Sequence, residues 1–205
     1  MTARVEFFFD LSSPWTCLAF HNLPSVLDRT ATTAIYRPIL VGGVFNAVNP
    51  AVYAARARAD NRRLTHSWKV LKDWARLAAV PMNFPSEWHP AKSIAAMRFC
   101  CVIEEDQAAL VRFARGAFAS YFDRQENLDD PDVLVAVANA EGLDGTAIAA
   151  AAGSDAMKAR LRANTDEVVA RGGYGSPTIF VDGDDMYFGN DQLPLVEAAL
   201  KRTLP

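Results

Sequence analysis

The sequence is poor in cysteine and histidine, with three of each in 205 residues. Cys17, Cys100 and Cys101 form no C-x-x-C, which excludes a disulfide scaffold and a redox dithiol of that type. His21, His66 and His89 are dispersed, with no spacing that gathers metal ligands, so no metal is expected. Long apolar runs are missing too. None approaches the roughly 20 residues that cross a bilayer. The opening stretch, MTARVEFFFD, lacks the apolar segment and cleavage site of a secretory leader. A cytoplasmic protein with no membrane partner is the expectation. Positive charge is not in excess either: 21 Lys and Arg stand against 24 Asp and Glu. That leaves no electrostatic footprint for nucleic acid. Repeats and low-complexity tracts are absent.

What is present is an ordinary globular mixture, 51% hydrophobic and 22% charged. Val5 to Phe9 is an apolar, aromatic run that reads as a buried strand, closed by Asp10. Ser13 and Pro14 then have the residue types of a helix cap and first helical position. A helix follows, with Pro24 predicting a kink or a break. Thr33 to Leu40 reads as a second strand, and Gly42-Gly43 with Asn49-Pro50 as a loop. From about Ala51 to Arg171 the pattern is helical. Asp130-Pro131 and Ser154 mark helix starts, and Gly142 and Gly172-Gly173 mark stops. Thr178 to Val181 is β-branched and aromatic, Asp182-Gly183-Asp184 is a hairpin turn, and Met186 to Phe188 is the return strand. A last helix runs from Gln192 to Arg202. The order is β-α-β, a long helical insertion, then β-β-α. It predicts an α/β fold with a thioredoxin-like core, residues 1–50 and 172–205, and an all-helical insertion, 51–171.

Three places can carry chemistry. Ser13 follows a strand and opens a helix, where unpaired backbone N–H groups and the helix dipole favour an anion. Read alone, it is a helix cap worth about 1 kcal/mol. Ser176-Pro177 enters the third strand from a glycine-rich turn. A cis bond there would leave an exposed edge for an extended peptide, whereas the local sequence favours trans. Asn190 and Asp191 can cap the last helix, or hold the carboxylate and ammonium of an amino-acid zwitterion. Asn49 before Pro50 reads as turn chemistry, and Arg63 as part of a solvated, mixed-charge face.

Six segments, in order, carry a wider resemblance: FFFDLSSPWTCLAF, RPILVGGVF, DWARLAAVPMNFP, AKSIAAMRF, ANTDEVVARGGYGSPTIFV and FGNDQL. Together they resemble the 2-hydroxychromene-2-carboxylate isomerases and the related kappa-class glutathione transferases, in the DsbA-like branch of the thioredoxin fold. The resemblance covers nearly the whole chain. It implies that Ser13, not Ser12, is the catalytic serine. It implies glutathione as cofactor, with contacts from Ser13, Asn49, Arg63, Ser176, the cis Pro177, Gly189, Asn190 and Asp191. Ser176 would pair its backbone with the cysteinyl unit, and residues 189–191 would hold the γ-glutamyl end. Val44 stands where some isomerases place a substrate-contacting lysine. A homodimer is the family's usual assembly.

Redox members of this fold carry C-P-x-C at the turn that here reads Ser13-Pro14-Trp15-Thr16. Both sulfurs are gone, so a sulfur has to be borrowed. Glutathione, its thiolate stabilised by Ser13 and the helix N-terminus, supplies one. The implied substrate is a small aromatic enone acid, isomerised by reversible thiolate addition. Trp15, Phe84 and Trp88 are the expected aromatic pocket. A kappa-type transferase forming stable conjugates shares every binding residue named. A non-catalytic thioredoxin-fold module that binds peptides or thiols is the alternative of another class.

Overall fold

The computed structural model describes residues 4–57 and 61–203. The elements are β1 (Arg4–Phe9), α1 (Pro14–Arg29), β2 (Thr33–Pro38), α2 (Val41–Val48), α3 (Ala51–Ala57), α4 (Arg62–Leu77), α5 (Ile94–Val102), α6 (Gln107–Phe122), α7 (Pro131–Ala140), α8 (Gly145–Ala152), α9 (Asp155–Ala170), β3 (Thr178–Val181), β4 (Asp185–Phe188) and α10 (Leu193–Thr203). A single 3₁₀ turn, Asn190–Gln192, leads into α10. The four strands form one sheet in the order β2-β1-β3-β4. β1 runs parallel to β2 and antiparallel to β3, and β4 returns antiparallel to β3. The thioredoxin-like core expected from the order of elements, and the DsbA-like helical insertion that the resemblance implied, are therefore present.

Strand alternation divides the core. Val5, Phe7 and Phe9 of β1 join Phe20 of α1 and the apolar faces of α5, α6 and α10 in the large cluster. Phe8 points the other way, into a five-residue cluster with Ile39, Val44, Val168 and Phe180. Val44 is thus a packing residue. Each fully buried Phe contributes about 1.5–3 kcal/mol relative to exposure. α9, which the sequence division places in the insertion, packs on this second face. Asn164 Nδ2 donates to the Pro38 carbonyl at 3.1 Å, and the Leu40 N–H donates to Thr165 Oγ1 at 3.0 Å.

Three local expectations change. The residues read as a loop after β2 form α2, because the Val41 N–H is captured by Asp10 Oδ2 at 2.8 Å and Gly43 fits against Thr165. A Cβ on Gly43 would lie 3.1 Å from the Thr165 methyl. Second, α1 passes through Pro24 as one 16-residue helix. Its buried face, including Phe20, Leu23 and Leu27, holds the path against one lost hydrogen bond. Third, Ser176-Pro177 is cis, as the resemblance implied and the local sequence did not. No helix among the described residues is long and apolar enough to cross a membrane. No group of three or more potential His, Cys, Asp or Glu metal ligands occurs among them.

Candidate active site

Ser13 is the N-cap of α1, in extended backbone, with its Oγ accepting from the Thr16 N–H at 3.2 Å. The same hydroxyl donates to the Ser176 carbonyl at 3.0 Å. This bond ties the start of α1 to the cis-proline loop. A second bond reinforces it: Thr16 Oγ1 and Ser176 Oγ are 2.7 Å apart. Ser176 Oγ also accepts from the Asp10 N–H at 2.9 Å. Thr16 thus fills the place of the second sulfur of a redox turn with a buried hydroxyl. Cys17 is one residue further on, buried, and burial pushes its thiol up to about 12. It is no substitute for the missing pair.

Beneath the turn lies Asp10, which is 0% exposed. Its Oδ1 accepts from the Ser12 N–H and Oγ, both at 2.8 Å. Its Oδ2 accepts from the Val41 N–H at 2.8 Å and lies 3.1 Å from Ser93 Oγ. The starts of α1, α2 and α5 therefore meet at one carboxyl. Burial raises its pKa, and the four donors act against that rise. Sequence reasoning took Asp10 only as the end of a strand. The available signal was an acid placed directly between a buried strand and a capping serine.

The cis-proline loop leads on to the third predicted place. The Gly189 N–H donates to the Pro177 carbonyl at 3.2 Å. Gly189 has φ +95, and a Cβ there would lie 2.8 Å from Asp191 Oδ1. Only glycine lets the Asp191 carboxylate fold back so closely. Asn190 is buried, and its Oδ1 accepts from Asn22 Nδ2 of α1 at 2.8 Å. Its own Nδ2 is buried with no partner. A buried donor without an acceptor costs free energy unless something arrives to use it. Asp191 is exposed and makes no ion pair with a described residue.

The structure thus joins Ser13, Ser176, Pro177, Gly189 and Asn190 through hydrogen bonds and chain continuity, with Asp191 next in line. Asn49 is apart from this chain of contacts. It ends α2, opposite to the end that Asp10 holds, and its N–H donates to the Phe45 carbonyl. Arg63 is exposed in the first turn of α4. The three aromatic residues expected to line a pocket take different places. Trp15 packs against the large core. Phe84 is buried, with its ring against Trp68 and His89. Trp88 is 43% exposed, and its Nε1 donates to the Gln125 carbonyl.

Comparison with known proteins agrees with this fold. The profile of the DSBA-like thioredoxin domain matches residues 4–201. The chain is 30% identical to a 2-hydroxychromene-2-carboxylate isomerase of Sphingobium xenophagum, over 98% of this chain and 99% of that one. It is 23% identical to glutathione S-transferase kappa 1 of Homo sapiens, over 94% and 88%. A solved 2-hydroxychromene-2-carboxylate isomerase superposes with a TM-score of 0.80 at 27% identity, covering 97% of this chain and 95% of that one. The chain belongs to the DSBA-like thioredoxin family, among the 2-hydroxychromene-2-carboxylate isomerases and their kappa-class glutathione transferase relatives.

Proposed function

We propose that the protein is a glutathione-dependent isomerase of the 2-hydroxychromene-2-carboxylate type, converting the ring-closed acid to a trans-o-hydroxybenzylidenepyruvate. The observation that carries the reading is the Ser13 turn. A hydroxyl sits at a helix N-terminus, bonded to the carbonyl before a cis-proline, in a chain that matches named isomerases along its length. Glutathione suits the residues present: the unpartnered Asn190 Nδ2 is a donor in want of an acceptor, and Asp191 is an acid in want of a cation. Asn190, Asp191 and Gly189 would hold its γ-glutamyl end and Ser176 its peptide backbone. Asn49 and Arg63 would add contacts elsewhere along it. When bound, glutathione supplies a thiolate able to add reversibly to a conjugated carbon, so that the double bond turns while single and the cofactor is regenerated.

The chain's own part is electrostatic. Ser13 can donate its proton to a sulfur anion, and α1 presents its positive end there. A free thiol has a pKa of about 8.5, and lowering it by two units takes about 2.7 kcal/mol. One charge-assisted hydrogen bond and a helix terminus supply that order of energy. Ser13 is a thiolate stabiliser in this scheme and not a nucleophile. A cytoplasmic homodimer belongs to the reading, and cell fractionation and sedimentation check it.

The test is turnover of 2-hydroxychromene-2-carboxylate with glutathione followed in parallel. Isomerisation that needs glutathione and leaves its concentration unchanged supports the reading. Accumulation of a stable conjugate supports the kappa-transferase alternative. Calorimetric binding of extended peptides without either reaction supports a non-catalytic module.

A further inference from the structure

Ser93 does not act as its position suggests. It is the N-cap of α5, where a serine Oγ ordinarily accepts from the first N–H groups of the helix, yet it makes no such bond. Its hydroxyl turns away from α5, donating to the Lys92 carbonyl at 2.8 Å and lying 3.1 Å from Asp10 Oδ2. A hydroxyl has one proton to give and two lone pairs to offer. With the proton on the Lys92 carbonyl, the shorter of the two contacts, Ser93 Oγ meets Asp10 with a lone pair. Ser93 is 1% exposed and Asp10 is 0% exposed, so bulk water does not come between them. Two oxygens facing each other this closely need a proton between them, and the carboxyl group of Asp10 is the remaining source.

The surroundings agree with a neutral acid. Among the described residues Asp10 has no Lys, Arg or His partner, only the N–H groups of Ser12 and Val41 and two serine hydroxyls. Cys100 of α5 and Tyr121 of α6 lie within reach of its charge. Burial holds both above their ordinary ranges, and a charge on Asp10 adds to that rise. Asp129, from the segment before α7, accepts from the Lys92 and Ser93 N–H groups at 2.9 and 3.0 Å, which places a second acid behind Ser93. Lys92 itself is exposed. Asp10 also touches both limbs of the Ser13 site through its backbone. Its carbonyl accepts from the Ser13 N–H at 3.2 Å, and its N–H donates to Ser176 Oγ at 2.9 Å. An ionised Asp10 would set a like charge beneath a sulfur anion held at that turn.

We propose that Asp10 is a positioning residue that works as a neutral carboxylic acid, donating its proton from Oδ2 to Ser93 Oγ, so that the Ser13 turn is braced without a negative charge beneath the sulfur. The role rests on the isomerase reading. The proton stays where it is during turnover, and Ser93, which reaches Ser13 only through Asp10, is the residue that keeps it there.

The experiment uses the full chain with ¹³C-labelled aspartate, and NMR follows the Asp10 carboxyl carbon, assigned through its backbone correlations, against pH. At pH 7 the wild-type Asp10 keeps the protonated signal that ordinary aspartates have left. Glutathione moves its titration to higher pH, because a thiolate beside it favours the neutral acid. S-methylglutathione, which has no thiol, leaves it in place. Ser93→Gly removes the acceptor of the proton at a residue whose φ of +57 suits glycine. It moves the Asp10 titration to lower pH and lowers the thiolate fraction of bound glutathione at pH 7 by about 3- to 10-fold in ultraviolet absorbance, with kcat falling in step. A Ser93 hydroxyl that donated to a carboxylate would give the opposite sign, its loss moving the titration up, and that result overturns the proposal. So does an ionised Asp10 in the wild type at pH 7, or an equal shift with glutathione and S-methylglutathione. Turnover of the chromene acid by a wild type whose Asp10 is ionised keeps the reaction and removes the proposal. A protonated Asp10 that responds to the glutathione thiolate in a protein that does not turn over the chromene acid keeps the proposal and removes the reaction.

Discussion

Glu6 and Asp10 are two buried acids four residues apart, Glu6 within β1 and Asp10 just past its end. Their surroundings are opposite. Glu6 is held by Arg171 at 2.7 Å and Arg37 at 3.5 Å. These arginines go on to Glu104 and Glu167, and Arg171 lies 3.8 Å over the Phe180 ring. Around Asp10 the hydrogen-bond partners are two N–H groups and two hydroxyls, with no ion pair to a described residue. The first acid is one end of a charge network that clasps α9 to the sheet. The second gathers three helix starts next to Ser13 without bringing a cation there. A cation at that spot would pair with any thiolate permanently, whereas hydroxyls and N–H groups leave the region's anion affinity for a ligand.

The largest effect should come from breaking the ionic end. Arg37→Met leaves Glu6, Glu104 and Glu167 each with one arginine in place of two, and the loss of its charge-assisted bonds should cost about 3 kcal/mol of stability. Urea unfolding measures it. Glutathione affinity of the folded variant should stay at the wild-type value, since the network does not touch the Ser13 turn. A weakened affinity would erase the distinction between the two ends.

Next comes Ser13→Ala. Loss of the cap costs about 0.5–2 kcal/mol of stability. The bound thiol's pKa should rise toward its free value by up to about two units, the helix terminus keeping its share, with the thiolate fraction and the rate at pH 7 falling by up to roughly 25-fold. Ultraviolet absorbance of the thiolate against pH reads it directly. Ser12→Ala, which removes one of Asp10's donors but nothing facing Ser176, is the control and should leave that pKa nearly in place.

Asp191→Ala tests the far end of the same site. Glutathione binding should weaken by about 1.5–3 kcal/mol, more than an exposed ion pair supplies. If Asp191 only caps the last turn, stability falls instead and the affinity of the folded protein does not. Calorimetry and thermal unfolding on one variant separate the two.

The smallest effect is in pH dependence. Burial raises the Asp10 carboxyl above its ordinary 3.8. The folded chain therefore keeps a proton that the unfolded chain has released, and this contribution to stability declines as pH rises from about 4 through the folded value. Asp10→Asn should flatten that decline while costing about 1–3 kcal/mol for the Val41 N–H left without its acceptor. Urea midpoints for both proteins between pH 4 and 7 decide it.

Much of this was legible in the residues, for local reasons. The strand at Thr178–Val181 is a β-branched, aromatic run bounded by turn residues, and Ser13 before Pro14 is a cap by residue type. What escaped depends on partners far along the chain. α2 begins with Val41-Gly42-Gly43, poor helix formers, and forms because Asp10 and Thr165 hold its first turn. The Thr16–Ser176 bridge joins residues 160 positions apart, which no local pattern reveals. The surroundings of Phe84, whose ring meets Trp68 and Phe122, likewise depend on residues far along the chain.

The Ser13 hydroxyl has one proton, and at rest the Ser176 carbonyl receives it. A sulfur arriving at the turn and that carbonyl cannot both be given it at full strength. The change from one acceptor to the other is a rotation about a single bond, Cβ–Oγ of one small side chain, which leaves the oxygen in place to accept from the Thr16 N–H. Such turns take picoseconds to nanoseconds where the side chain has access to solvent, against microseconds or longer for loops and lids. The site can therefore pass from its resting to its working hydrogen bond on the clock of a rotamer, with no rearrangement of the backbone of α1 or of the cis-proline loop.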